Sequence, residues 1–149
     1  MSLAALSAAA LLAGLAPPPQ QAAPVPTPPQ VLPAPATSGQ CRPDPASAET
    51  PEALARRFHD LAFQQDAAAM AALLAPGAVL HNAHDDVRMS DADFLSLLGV
   101  GRAGRTEIVQ TLTSGSTAVL RERTATGGEI LLVVQTDGGC VTGVTSIYD

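Results

Sequence analysis

Hydrophobic and polar positions along this 149-residue chain fall into three regimes. Leu3 to Leu15 form an apolar run of Leu, Ala and Ser that ends at Pro17-Pro18-Pro19. Apolar bulk then almost disappears, and eleven of the 13 prolines lie between Pro17 and Pro45. Beyond residue 46 the apolar positions become periodic, first at helical and then at strand spacing. Thr50-Pro51-Glu52 reads as a helix opening, with a hydroxyl at the N-cap, proline at the first position and an acid in the first turn. Leu54, Phe58, Leu61 and Ala62 follow as one apolar stripe. Asp66 caps a second, shorter helix through Met70, Leu73 and Leu74, stopped by Pro76-Gly77. Ala78–His81 reads as a short strand. Ser90-Asp91-Ala92-Asp93 opens a third helix with Phe94, Leu97 and Leu98 inward, ending at Gly99.

From Arg105 the period changes to two. Four β-rich runs, Arg105–Thr113, Ser116–Thr124, Glu129–Thr136 and Cys140–Tyr148, are divided by glycine turns about 12 residues apart, as a meander of antiparallel strands requires. Helices followed by such a meander predict an α+β domain in which a curved sheet closes over the helices.

The regimes set the expected organisation: a signal-peptide-like leader over 1–23, a Pro-rich, unstructured tether over 24–46, and one domain over 47–149. The apolar run suits a signal-peptide core and is shorter than the ~20 residues a membrane span needs. No Lys or Arg precedes it, and Ala16 and Ala23, the natural cleavage positions, are each followed by proline. A start upstream of Met1 would supply the missing positive region. The expectation is export to a periplasmic or secreted location; the alternative is an Ala/Pro tail on a cytosolic protein. Prolines fix φ and remove donors, so the tether is expected to be extended and unpacked.

Every charged side chain falls at or after Arg42, with 14 acids against eight arginines and a net charge of −6. That balance argues against nucleic acid, which wants a basic face. The four aromatic residues, Phe58, Phe63, Phe94 and Tyr148, supply no base-stacking platform. Lysine is absent, which removes Schiff-base chemistry and the phosphate-loop lysine. Gly99-Val100-Gly101-Arg102-Ala103-Gly104 fits the dinucleotide spacing, but it follows a helix and leads into a strand, the reverse of the fingerprint. No cofactor is expected. Cys41 and Cys140, at opposite ends of the domain, read as one disulfide in an exported chain, or as two buried thiols in a cytosolic one. Neither has a second ligand close by, so no metal site is expected there.

The order of elements resembles the NTF2-like superfamily, which includes SnoaL-like and ketosteroid-isomerase-like proteins. Phe58-His59-Asp60-Leu61-Ala62-Phe63-Gln64-Gln65-Asp66 through Leu73-Leu74-Ala75-Pro76-Gly77-Ala78-Val79-Leu80 is similar to its opening. Ser90-Asp91-Ala92-Asp93-Phe94-Leu95 is similar to its third helix. The resemblance covers about residues 50–149. It implies three helices packed in the concave face of a curved, mostly antiparallel sheet, a cone with a pocket at its mouth, and homodimers.

The densest candidate chemistry is His81-Asn82-Ala83-His84-Asp85-Asp86. Two imidazoles and two carboxylates within six residues can supply a base with its orienting partner, so His81, His84, Asp85 and Asp86 are catalytic candidates. A polar turn between strand and helix is one alternative; metal ligation is another, ranked last because two histidines make an incomplete ligand set for zinc. Arg88, His59 and Tyr148 are ligand-binding candidates. His59 and Asp60 should flank the first helix's apolar stripe or face water. Arg105, Glu107, Arg121, Glu122 and Arg123 can pair across neighbouring strands, by default on the outer face; an arginine aimed into the cone would instead imply an acidic ligand, and the strand registers leave both open. Ketosteroid-isomerase-like members place a tyrosine on the first helix and an acid on the meander. The first helix here offers Phe58 and His59 instead, and no meander acid stands out. The reading that follows is an exported domain binding a small apolar ligand or a peptide. Acid–base catalysis by the His81–Asp86 cluster and a ligand-free dimeric accessory domain are the alternatives.

Overall fold

A computed structural model of the chain describes residues 38–98 and 104–148. The leader, the tether up to residue 37, and residues 99–103 of the glycine-rich connection lie outside the described residues. Three helices, α1 (Pro51–Gln64), α2 (Ala67–Leu73) and α3 (Asp91–Leu97), accompany six strands: β1 (Leu74–Asn82), β2 (Val87–Ser90), β3 (Thr106–Ser114), β4 (Thr117–Thr124), β5 (Glu129–Asp137) and β6 (Cys140–Tyr148). The strands form one sheet in the order β2-β1-β6-β5-β4-β3; β1 and β6 are parallel, and every other pair is antiparallel. This is the expected α+β architecture.

Local chemistry explains the helix starts. Thr50 Oγ1 accepts from Ala53 N at 3.2 Å, Asp66 Oδ1 from Ala69 N at 2.9 Å and Ser90 Oγ from Asp93 N at 3.1 Å, each satisfying a donor that the first turn leaves unpaired. Helix α1 lies against β3, β4, β5 and β6. Leu54, Phe58 and Leu61 join Met70, Leu73, Leu80, Leu120, Val134 and Val144 in the buried core, where the Phe58 and Phe94 rings stack with centroids 5.8 Å apart.

Four local expectations change. Helix α2 ends at Leu73, before Pro76-Gly77, because Leu74 already pairs with Val141 of β6 and proline disfavours helical backbone in the residue ahead of it. Polar residues expected as a loop include a strand, β2, which turns back on β1 through the hairpin at 83–86. In α3 the buried apolar residue is Leu95, while Leu97 is exposed; Asp91, one turn before Leu95, is itself buried and accepts from Gly39 N at 2.6 Å.

The fourth change concerns the end of the expected tether. Residues 39–44 are bonded to the domain: Gln40 N donates to Ala71 O, Cys41 N to Leu74 O and Asp44 N to Gly138 O, at 2.7–2.9 Å. A Cβ on Gly39 would stand 2.5 Å from Ala75 O, so only glycine allows this close approach. Cys41 and Cys140 form the expected disulfide, with Cα atoms 5.7 Å apart. Proline removed donors from this stretch, but the non-proline residues between kept theirs and found carbonyls on the domain.

Candidate functional site

Strand alternation decides which meander side chains meet the helices. Ala118, Leu120 and Glu122 of β4 share one face, and all three are buried. In register with Glu122 are Ile108 of β3 and Ile130 of β5, and Ile130 in turn faces Tyr148 of β6. Glu122, Ile130 and Tyr148 of this row form one end of a cavity of about 430 Å³. Phe58, His59, Ala62 and Phe63 of α1 close one side, Leu132 and Ser146 continue the sheet wall, and Arg105, Thr106 and the 124–126 turn complete it. The lining is mainly apolar, a small-molecule site in size and character.

Three polar side chains join across this cavity wall. Thr106 Oγ1 donates to Glu122 Oε2 at 2.8 Å, and His59 Nε2 lies 3.1 Å from the same hydroxyl oxygen and 3.7 Å from Glu122 Oε2. The hydroxyl's only proton goes to the carboxylate, so in this arrangement the imidazole is the donor at Nε2. His59 Nδ1 faces Asp60 Oδ1 at 3.3 Å, and the His59 ring meets Phe63 edge-on with centroids 4.6 Å apart. Glu122 is 5% exposed and His59 8%. Among the described residues, Glu122 Oε1 is the buried side-chain oxygen or nitrogen without a hydrogen-bond partner.

Two expectations are refined here. Of the two placements open to His59 and Asp60, His59 flanks the apolar stripe, one helical turn after the fully buried Ala55, and Asp60 faces water. Glu122 does not join a solvated pair on the outer face, because Leu120, two residues earlier, fixes its side chain inward. Arg121 instead bonds Glu129 through two nitrogens at 2.7–2.9 Å on the opposite face. An acid in the same alternating register as Ala118 and Leu120 was the available signal for Glu122. Thr106 gave none, since nothing in sequence marks a threonine at a strand start as a bridge between two titratable groups.

The remaining candidates lie elsewhere. His81 Nε2 meets Asp86 Oδ1 at 3.1 Å, and Asn82 Nδ2 donates to Asp85 Oδ2 at 2.8 Å. His84, Asp85 and Asp86 sit in the exposed β1–β2 turn, and Arg88 is opposite His81 in the β1–β2 ladder. Leu80 points into the core, so His81 points to the other face, and none of these residues lines the cavity. The structure therefore brings His59 and Tyr148 to one cavity and leaves the 81–88 group apart from it. Among the described residues no group of three or more His, Cys, Asp or Glu side chains is arranged to hold a metal ion, and no helix is long and apolar enough to cross a membrane.

Solved structures share this architecture. A Kribbella flavida protein proposed to be a ketosteroid isomerase is 21% identical, covers 66% of this chain and 77% of its own, and superposes with a TM-score of 0.57. A SnoaL-like protein of unknown function from Burkholderia thailandensis is 16% identical over 71% of this chain and 99% of its own, with a TM-score of 0.55. An LEH-like epoxide hydrolase from M. tuberculosis is 15% identical over 64% and 80%, also with a TM-score of 0.55. No protein-family model matches the chain, and no curated protein matches it. At these identities the likeness is one of fold.

Proposed function

This chain has the NTF2-like fold, and on that scaffold we propose that the cavity beneath α1 binds a small, mainly apolar molecule through one polar group. The observation that carries this reading is a mainly apolar cavity of about 430 Å³ with a part-buried polar chain, His59–Thr106–Glu122, in its wall. Apolar walls supply affinity through buried area, and a few fixed polar groups supply orientation. Neighbours of the same fold named as a proposed isomerase and an epoxide hydrolase are in keeping with a small-molecule reading. The disulfide and the apolar leader support export to an oxidising compartment.

A second reading is acid–base catalysis on the bound molecule. The buried His59–Glu122 pair favours it, because an imidazole and a carboxyl sharing one hydroxyl can move a proton at the ligand. This reading places the chemistry on His59 and Glu122, since the 81–86 turn lies outside the cavity.

The test uses N-phenyl-1-naphthylamine, a neutral apolar fluorophore. The expected result is saturable enhancement with one site per chain, lost by at least about tenfold in Ala62→Trp, which fills the cavity, and kept in Leu112→Ser on the far side of the sheet. Equal enhancement in all three proteins would sink the cavity as the binding site. Candidate ligands that displace the probe, followed by mass spectrometry, separate the two readings: an unchanged compound favours binding, an altered one catalysis.

A further inference from the structure

The side-chain donors deep in the cavity wall are already used. The Thr106 hydroxyl donates to Glu122 Oε2 at 2.8 Å, which leaves His59 Nε2 as the donor to Thr106 Oγ1 at 3.1 Å. His59 Nδ1 faces Asp60 Oδ1 at 3.3 Å, and the Ser146 hydroxyl donates to His81 O at 3.5 Å. What this wall has to spare is an acceptor. Glu122 is 5% exposed, and its Oε1 atom has no hydrogen-bond partner among the described residues. Arg105, Tyr148 and Thr126 also line the cavity, but all three are exposed, so the donors they supply sit at its rim and can be met by water.

We propose that the molecule this cavity takes carries a hydrogen-bond donor, a hydroxyl or a protonated amine on an otherwise apolar frame, and that Glu122 Oε1 selects for it. The inference rests on reading the cavity as a ligand site and adds the chemistry of the ligand's polar group. As a carboxylate, Glu122 accepts at both oxygens and donates at neither. Its Oε2 is held by Thr106, whereas Oε1 is buried from water without a substitute. The terminal torsion of a glutamate is soft, so a small turn of the carboxylate presents Oε1 to a ligand in the cavity.

A donor arriving there satisfies two groups with one bond. An ether, ketone or carboxylate sets a second acceptor against the first, and both lose their water without a replacement. Sites of this kind discriminate strongly, because the wrong ligand leaves the protein's own buried polar group unpaired. The apolar walls, Phe58, Ala62, Phe63, Ile130 and Leu132, are indifferent to the ligand's polar end, so the discrimination falls to Glu122.

The experiment displaces N-phenyl-1-naphthylamine with decanol, decylamine and methyl nonyl ether, the last an isomer of decanol that has no donor. Inhibition constants are corrected for each protein's own affinity for the fluorophore. In the wild type at least one of the two donors should bind about tenfold or more tightly than the ether, the lower end for a hydrogen bond to a charged group. Decylamine as the tighter of the two would assign an ammonium, decanol a hydroxyl. The preference should persist in Leu112→Ser and disappear in Glu122→Met. It should disappear as well in Glu122→Gln, a near-isosteric change that keeps the test open if the methionine variant does not fold. With Thr106 bonded to the amide oxygen, the glutamine turns an N–H toward the place of Oε1. An ether that binds as tightly as both donors in the wild type, or a preference that survives both Glu122 substitutions, would overturn the inference and leave the cavity standing as a binding site. Fluorophore binding that Ala62→Trp does not weaken would remove the cavity, and the inference with it.

Discussion

A buried carboxyl oxygen without a partner is costly, by about 1–3 kcal/mol for an unsatisfied buried polar group. Glu122 Oε1 is such an atom, and its chain neighbours in the same register, Ala118 and Leu120, are fully buried. The carboxyl therefore works against the stability of the ligand-free domain, as groups kept for function commonly do. Glu122→Met, close in length and apolar, is expected to raise stability by about 1–3 kcal/mol in urea denaturation. A less stable variant would show that the carboxyl is better solvated than its geometry implies. Leu120→Ala, in the next inward position, should move the other way by about 2–5 kcal/mol, since it opens space in the packed core.

At the scale of elements, the strap over residues 39–44 does more for the domain than its composition suggests. It adds no strand, yet it satisfies the Ala71 carbonyl in the last turn of α2, places further backbone donors on Leu74, Asp91 and Gly138, and carries the disulfide. Closing a loop with a sequence separation of 99 restricts the unfolded chain strongly, and loss of such a bridge typically costs about 2–5 kcal/mol. The double variant Cys41→Ser plus Cys140→Ser should lose that amount in urea unfolding; a change below about 0.5 kcal/mol would mean the backbone bonds hold the strap alone. The strap was half legible. Two cysteines in an expected exported chain announced the bridge, but the prolines around Cys41 spoke for an unpacked tether. Which backbone donors find acceptors is decided by carbonyls distant in sequence. The meander was legible almost to the residue, since glycine turns and two-residue alternation are local signals. Strand β2 was not: four residues carry too short an alternation, and its pairing with β1 depends on the 83–86 turn.

At the scale of the whole domain, among the described residues one sheet face meets the helices and the other carries none. On that open face Leu112, Val119 and Val133 lie in one cross-strand row and Arg121, Leu131 and Ile147 in the next, with Leu112, Leu131 and Ile147 exposed. Exposed apolar residues grouped on a flat sheet are a common sign of an interface. Self-association through this face is the expected outcome: analytical ultracentrifugation at micromolar concentration should show a dimer, and Leu131→Arg a monomer with an intact far-ultraviolet spectrum. A monomeric wild type would leave the open face unexplained by self-association. The cavity belongs to the same scale. Its components are scattered over α1, β3, β4, β5 and β6, so sequence alone flagged His59 and Tyr148 separately, and only the register of four strands brings Glu122 to them.

The strap also sets the path that tension takes through the molecule. A pull on the chain ahead of residue 38 reaches Gly39 and Cys41 first, and the disulfide passes it to Cys140 at the start of β6, between β1 and β5 in the sheet. A load entering there meets hydrogen bonds on both sides of the strand. With the disulfide reduced, the same load would fall on single backbone bonds that open one at a time. The oxidised domain is therefore expected to resist a pull from its amino-terminal side more strongly than the reduced one.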